Sequence, residues 1–358
     1  MTVAPASDVM PDSLDIADFD YELPPALIAQ SPLARRDDSR LLVLEKSTGT
    51  FHHSRFSALG DWLAPGDLLV ANNSRVIPAR LHGVRVPSGG KVEVLLLRKS
   101  GTLWSALAKP AKRLERGTRL EFFARVANVE PAAVIVEENI GDGEVLLRFE
   151  GGADERLEAY GAAPLPPYIT EPLSDDSRYQ TVYSHVPGSA AAPTAGLHFT
   201  HEAIDRLRAR GIAWAEVTLH VGIDTFRPIS VSNAKDHQIH REWCEVPAET
   251  AKAIAACRER GGRIVAVGTT SARTLEWLGQ TWSDEHPVGL SGMADTFVVP
   301  GHRWRVVDAL VTNFHLPRST LLLLVSALAG RESILRAYTE AIRHEYRFYS
   351  FGDAMLIV

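Results

Sequence analysis

Hydrophobic and polar positions follow two different patterns along this chain, and the pattern changes near residue 66 and again near residue 150. Between these points, apolar residues form short β-rich runs, and turns carrying Gly, Ser, Asn and Pro separate them. Several short strands at near-regular spacing, with no helix among them, predict a small barrel or sandwich.

From residue 181 onward, continuous apolar strands alternate with helices. Thr200 is a helix N-cap residue, and Gly211 stands where that helix should end. Such alternation is typical of a mainly parallel, buried sheet with helices on its faces. The predicted fold class is therefore α/β, with a large domain like a distorted α/β barrel and a small β-barrel domain inserted into it. A doubly wound sheet is the alternative for the large domain.

The predicted domain boundaries follow these changes of pattern. Residues 1–18 form a flexible tail, 19–65 and 151–358 form the α/β catalytic domain, and 66–150 form the inserted β-barrel. The first residues lack the basic and apolar regions of a signal peptide. The apolar run Leu321 to Val325 is too short for a membrane span and predicts a buried helix. Cys244 and Cys257 form no CxxC pair, which favours a reducing, cytoplasmic compartment.

Charge is distributed unevenly, although the net charge is only −6. Residues 66–125 contain twelve Lys and Arg against four Asp and Glu, and residues 126–176 contain two against twelve. The basic block could bind phosphate groups, or it could simply cover the outside of a β domain.

Polar groups stand in four loops where predicted strands or tight turns lead into helices. In α/β folds, ligands bind at the carboxyl ends of the strands. The groups are Pro193, Thr194, Gly196 and His198 in the first loop, His220 and Gly222 in the second, Thr269, Thr270 and Ser271 in the third, and Asn313 and His315 in the fourth. Each loop alone could be ordinary helix capping, but four similar loops together indicate a ligand site. The hydroxyls and first-turn N–H groups at 269–271 suit an anion.

A separate polar segment, DHQIH, contains His237 and His240. Two histidines three residues apart could bind a metal, but the pattern is not HExxH and no third ligand is obvious. A hydrogen-bonded substrate loop or a surface turn is favoured over a metal site. The chain has no P-loop, no GxGxxG at a strand–helix junction and no Gly-x-Ser-x-Gly elbow.

Long motifs in a fixed order resemble one known family. They include FDYELPPALIAQSP, GDLLVANNSRVIPARL, AAPTAGLHFT, RIVAVGTTSARTLE, VVDALVTNFHLPRSTLLLLVSALAG and YRFYSFGDAMLI. Over about 19–357 the chain resembles the S-adenosylmethionine:tRNA ribosyltransferase-isomerase family of the queuosine pathway. The resemblance implies a distorted α/β barrel with an inserted small β-barrel.

The resemblance also implies the reaction and its partners. The ribosyl part of S-adenosylmethionine is transferred and isomerised onto 7-aminomethyl-7-deazaguanine at the wobble position of a tRNA. The product is epoxyqueuosine, and adenine and methionine are released. S-adenosylmethionine is then a consumed substrate, so no cofactor is expected, and the protein is expected to act as a monomer away from membranes.

Roles for the polar residues follow from that chemistry. A base must take a proton from the 5′ carbon beside the sulfonium, and a donor must protonate adenine. His198, His220 and His315 are the candidates, in no fixed order, and the substrate's own amine is an alternative base. The 269–271 turn would bind the methionine carboxylate, and Asn313 would bind base or ribose edges. The expected tRNA-binding residues are Arg75, Arg80, Arg85, Lys91, Arg98, Lys109, Lys112 and Arg113.

Two other classes of function stay open from the residues alone. One is a small-molecule isomerase or lyase that ignores RNA. The other is a non-catalytic RNA-binding protein built on the β domain.

Overall fold

Strands make up most of the regular structure in the computed structural model, which describes residues 14–222, 231–237, 239, 241–283 and 287–358. The strands are β1 Arg40–Glu45, β2 Thr50–Arg55, β3 Leu68–Asn72, β4 Ser74–Val76, β5 Arg80–Val86, β6 Lys91–Ser100, β7 Leu103–Lys109, β8 Arg119–Phe122, β9 Ala132–Gly141, β10 Glu144–Phe149, β11 Gly161–Ala162, β12 Val186–Ser189, β13 Ala213–Leu219, β14 Glu242–Val246, β15 Ile264–Val267, β16 Leu290–Ala294, β17 Ala309–Asn313 and β18 Ala354–Ile357. The helices are α1 His201–Ala209, α2 Ala248–Glu259, α3 Thr269–Gly279, α4 Thr320–Ala329 and α5 Arg331–Arg343.

Nine strands form one mixed sheet in the order β16-β14-β13-β3-β15-β17-β18-β1-β2. Its centre, β13-β3-β15-β17, is parallel, and β18 runs antiparallel to β17. The mixed α/β class is confirmed. The described pairings leave β16 and β2 at the two ends of the sheet, so the barrel-like form of the large domain stays a prediction.

Successive residues of the central strands face opposite sides of the sheet, as the period of two requires. Leu68 and Val70 face a core shared with α2, α3, α4 and α5. Leu69 and Ala71 face a second core, which contains α1 and the 3-10 helix Phe56–Trp62. Because both faces are covered, β3, β15 and β17 are buried along their whole length and read as continuous apolar runs.

Six antiparallel strands, β5-β6-β7-β10-β9-β8, close into a barrel through pairing of β5 with β8. The short strand β11 pairs with the first two residues of β5, along the same edge as β8. Buried and half-exposed residues alternate along β7, β9 and β10. The buried set fills the interior with residues such as Leu96, Trp104 and Leu147. The prediction of a small inserted β-barrel is confirmed.

The two sheets share out the strands differently from the change of pattern near residue 66, while the predicted domain boundaries stay a prediction. Strand β3 belongs to the large sheet, although 66–150 was assigned to the barrel, and the barrel sheet extends from β5 to β11. The pattern did not separate these strands because a buried parallel strand and a barrel strand are both short apolar runs. Within the predicted tail, Leu14 and Ile16 are buried in the main core, and the Ile16 N–H donates to the Ser232 carbonyl at 2.9 Å. Residues 1–13 lie outside the described part.

Local elements agree with the pattern where a cap defines them. Helix α1 begins after Thr200, whose hydroxyl accepts the Ala203 N–H at 3.1 Å. The segments 19–30 and 51–63 contain the 3-10 helices Pro25–Leu27 and Phe56–Trp62, and β2 occupies the first part of the second segment. In the part of the chain that is described, no helix combines the length and apolar character needed to cross a bilayer.

Candidate active site

A cavity opens where β13, β15 and β17 end, and it brings together most of the predicted loops. The empty space between its walls, together with the open solvent at its mouth, is about 410 Å³. Its lining residues are Ala192, Pro193, Thr194, Ala195, Val221, Gly268, Thr269, Thr270, Thr312, Asn313, His315 and Leu321. The carboxyl ends of parallel strands meet at one edge of a sheet, which is why loops distant in sequence share this cavity.

His198 lies beside this cavity, with both ring nitrogens hydrogen-bonded. Its Nδ1 is 2.8 Å from Ser39 Oγ, and its Nε2 is 3.0 Å from Asn313 Nδ2. Since an amide NH₂ only donates, Nε2 accepts and Nδ1 carries the proton. Burial lowers the pKa of His198 to about 4, so the ring is neutral at pH 7. The Asn313 Oδ1 in turn accepts a hydrogen bond from the Thr194 hydroxyl at 2.9 Å.

His315 is buried in the cavity wall. Its Nε2 is 2.7 Å from the Thr312 hydroxyl, and its backbone N–H donates to Tyr338 Oη at 2.9 Å. Within the described residues, no hydrogen bond engages Nδ1. Burial lowers the pKa of His315 to about 3, so its imidazole is neutral and one nitrogen is available to a ligand.

His220 stands apart from the cavity wall, although its neighbour Val221 lines it. Its ring stacks on Trp243 at 5.2 Å between centroids, and its Nδ1 is buried without a described partner. Burial lowers its pKa. Gly222 donates its N–H to Glu242 Oε1 at 2.8 Å, and Glu242 forms a buried ion pair with Arg273.

The amino end of α3 forms one side of the cavity. Gly268 precedes it with φ of +87°, a backbone conformation that glycine adopts without strain. Thr269 and Thr270 line the cavity, and Thr270 Oγ1 is 3.3 Å from Asn72 Nδ2. Ser271 does not face the cavity, because its hydroxyl donates to the Val267 carbonyl at 2.8 Å. The predicted anion site therefore retains the two threonines and the first-turn N–H groups.

Gly196 has a packing role instead of the predicted ligand contact. A Cβ at this position would lie 2.0 Å from Tyr183 Oη, and Gly196 is absent from the cavity lining. The glycine lets the 3-10 helix Thr194–His198 pack closely on Tyr183, which positions Thr194 and His198 at either end.

The DHQIH segment is only partly described. His237 follows the 3-10 helix Ala234–Asp236, and its ring lies 5.6 Å from that of Phe297. His240 lies outside the described residues. Among the residues that the structure does describe, the one cluster with metal-binding geometry is His53, Glu340 and His344, and none of these lines the cavity.

Most of the basic residues predicted to bind tRNA are exposed. Arg75 lies on β4, outside the barrel, and Arg80 pairs with Glu93 at 3.2 Å. Arg85 packs against Gly90. The exposed members, which form no ion pair in the described part of the chain, are Arg75, Lys91, Arg98, Lys109, Lys112 and Arg113.

Sequence reasoning missed three residues that support the site. Asn72, at the end of β3, binds the Leu219 backbone through both amide atoms, at 3.0 Å each, and also reaches Thr270. Ser39 and Thr312 hold the two buried histidines. The available signal for Asn72 was its place directly after a buried apolar strand at the same sheet edge.

The chain is similar to known proteins along nearly its whole length. The family model described as queuosine biosynthesis protein matches residues 16–357.

The chain belongs to this family.

Two relatives in the queuosine biosynthesis family are the S-adenosylmethionine:tRNA ribosyltransferase-isomerases of Macrococcus caseolyticus and Staphylococcus saprophyticus. Each is 49% identical, over 345 and 347 residues respectively, and each match covers 96% of this chain and 100% of the relative. The crystal structure of S-adenosylmethionine tRNA ribosyltransferase from Thermotoga maritima is similar, with 39% identity and a TM-score of 0.55. That match covers 95% of this chain and 100% of the other.

Proposed function

We propose that this protein is an S-adenosylmethionine:tRNA ribosyltransferase-isomerase. The observation that carries the proposal is the 49% identity to enzymes of that name over 96% of the chain. The reaction transfers and isomerises the ribosyl group of S-adenosylmethionine onto 7-aminomethyl-7-deazaguanine at the tRNA wobble position. Epoxyqueuosine, adenine and methionine are the products.

The cavity suits a sulfonium nucleoside with a carboxylate. The amino end of α3 presents free N–H groups and the hydroxyls of Thr269 and Thr270, which favour the methionine carboxylate. The Asn313 amide and the Thr194 hydroxyl, which are bonded to each other, belong to two other loops of the cavity wall. They would hydrogen-bond to base or ribose edges.

Proton abstraction at the 5′ carbon is assigned to His315. Of the three predicted histidines, it is the one that lines the cavity and has a ring nitrogen without a described partner. The base form requires that Nε2–H donate to Thr312 and leave the lone pair on Nδ1 toward the substrate. The substrate's aminomethyl group is the competing base, and replacement of His315 distinguishes the two.

His198 is assigned a positioning role. Its ring nitrogens are occupied by Ser39 and Asn313, so it fixes the amide that faces the substrate. His237 remains a candidate for the substrate loop, and His220, which directly precedes the cavity residue Val221, remains a candidate for contact with the substrate. The wobble base must leave the anticodon stack to reach such a site, as in other enzymes that act on bases.

The proposal also includes the setting of the enzyme. S-adenosylmethionine is consumed, so no added cofactor is needed, and the protein acts as a cytoplasmic monomer on tRNA that already carries the deazaguanine. The barrel-like form of the large domain belongs to the same proposal.

One assay tests the function. The protein is incubated with S-adenosylmethionine, with and without tRNA that carries the aminomethyl-deazaguanine, and adenine is followed by chromatography. Adenine release that requires this tRNA is the expected result. Turnover without tRNA would indicate a small-molecule isomerase or lyase, and tRNA binding without adenine release would indicate a non-catalytic RNA-binding protein.

A further inference from the structure

Three arginines converge on a second cleft, on the other side of His198 from the active-site cavity. The empty space in the cleft, together with the open solvent at its mouth, is about 290 Å³. Its lining includes Arg36, Arg178 and Arg347, together with Ser39 and His198. His198 bonds to Asn313 in the cavity wall, so this hydrogen-bonded pair of side chains lies between the two spaces.

The arginines carry more charge than their neighbours neutralise. Within the described residues, neither Arg36 nor Arg178 has a carboxylate in ion-pair distance, and Arg347 is 3.9 Å from Asp353. Asp353 is shared, because it also binds Arg40 at 3.0 Å. Burial, followed by the nearby Arg178 guanidinium, lowers the pKa of Arg36, and the Asp175 carboxylate acts in the opposite direction.

Several donors in the cleft are unused. Arg36 gives one N–H to the Leu197 carbonyl and one to the Ser177 carbonyl, both at 3.1 Å. Arg178 binds the Leu33 and Ala34 carbonyls, while its Nε is buried and has no partner among the described residues. A guanidinium has five N–H donors, so each arginine can hold its loop and still bind an anion.

The basic surface continues beyond the cleft. A neighbouring groove shares Arg36 and Arg178 and extends to Arg35 and Arg206, so that four arginines line it against two carboxylates, Asp37 and Glu202. Both outer arginines are mostly exposed and pair with the buried Asp37. A row of arginines of this kind suits an extended polyanion better than a single small anion, because successive negative charges of the polyanion can pair with successive arginines.

We propose that this arginine cleft binds backbone phosphates of the RNA substrate next to the nucleotide that enters the cavity. The inference rests on the proposed function for the identity of the RNA. It places the principal phosphate contacts in the α/β domain, whereas the sequence pattern pointed to the β-barrel.

Arg347 offers the cleanest test, because its side-chain bonds are the weakest of the three, at 3.4 Å to the Ser31 carbonyl and 3.9 Å to Asp353. Binding of an RNA hairpin with the anticodon-loop sequence is measured at several salt concentrations, without S-adenosylmethionine. Arg347→Gln should weaken binding roughly ten-fold and reduce the salt slope by about one. Arg347→Lys should keep the slope and weaken affinity less.

Arg343→Gln is the matched control, since this exposed arginine lies on α5, outside the cleft, and should leave both quantities unchanged. Unchanged affinity and slope in both Arg347→Gln and Arg178→Gln would overturn the proposal. A reduced slope in an Arg98→Gln, Lys112→Gln variant, with none in the cleft variants, would assign the phosphates to the barrel instead. If the cleft variants lose thermal stability and also show a raised KM for S-adenosylmethionine, the arginines only hold the loops together.

The outcome is separable from that of the proposed function. The hairpin assay needs no turnover, so it tests the cleft even if adenine is never released. If adenine is released but the cleft variants bind the hairpin with unchanged affinity and salt slope, the proposed function holds and the proposal for the cleft is wrong.

Discussion

The Nε2 of His198 accepts a hydrogen bond from the side-chain amide of Asn313, with the two atoms 3.0 Å apart. This contact makes the histidine a support for the amide and leaves it no free nitrogen for proton transfer. His198→Gln should therefore lower kcat by roughly ten-fold, which is the value of one neutral hydrogen bond. Steady-state kinetics across pH should show a profile of unchanged shape. A loss as large as that caused by removing His315 would contradict the positioning role.

Removal of His315 should affect the chemical step more strongly. His315→Ala is expected to lower kcat by about 10²–10⁴-fold, because a positioned general base contributes that much, while the KM for S-adenosylmethionine changes only a few-fold. Single-turnover adenine release gives the rate directly. Thr312→Val is a companion variant that removes only the hydroxyl bound to Nε2, and it should show a smaller loss. Near-normal kcat in His315→Ala would identify the substrate amine as the base.

Stability should fall as the pH is lowered from 7 to 5. Burial holds the pKa of His198 at about 4, below the 6.5 of an unfolded histidine. Between these values the unfolded chain binds a proton that the folded chain does not, so folding loses roughly 2 kcal/mol for this group by pH 5. His315 acts in the same direction. The melting temperature of His198→Gln should therefore fall less between pH 7 and pH 5 than that of the wild type, and an equal fall would contradict the assignment.

Gly196 should tolerate no side chain. Gly196→Ala places a Cβ 2.0 Å from Tyr183 Oη, and such overpacking costs about 1–3 kcal/mol. The melting temperature should drop by several degrees, with a further loss of activity because Thr194 and His198 flank the displaced turn. Gly222→Ala is the control for stability, since its Cβ would meet nothing nearer than 3.9 Å. If Gly196→Ala has the same melting temperature as this control, the turn can move enough to accept the added methyl group.

Patterns of apolar residues predicted the central strands and the helices well, because β15, β17, α3 and α4 combine continuous burial with clear caps or stops. They did not predict β14 and β16, which lie at one end of the sheet with half-exposed residues and therefore carry no continuous apolar run. The pattern grouped β3 with the barrel because β3 resembles a barrel strand in composition. Its partners in the structure, β13 and β15, are far along the chain.

The candidate site was predictable at the level of loops and less so at the level of atoms. Position after a strand correctly grouped Thr194, Thr270, Asn313 and His315 around one cavity. The sequence could not show that Ser271 binds the Val267 carbonyl or that Gly196 packs on Tyr183, because both depend on tertiary distances. The bonds that occupy the His198 ring arise from Ser39 and Asn313, which are 159 and 115 residues away.

The chain enters and leaves the barrel at adjoining points. Strand β4, just before the barrel, runs parallel to β12, which comes later in the chain than the barrel. The first barrel strand, β5, pairs with β11, the strand that follows the barrel, through Arg80 with Ala162 and Leu81 with Gly161. The host fold therefore spans only a short gap, whatever the size of the module between these ends. Because the chain enters and leaves at neighbouring points, the barrel is an insert that could be exchanged, shortened or acquired as a unit. The sheet that carries the cavity would keep its own order of strands.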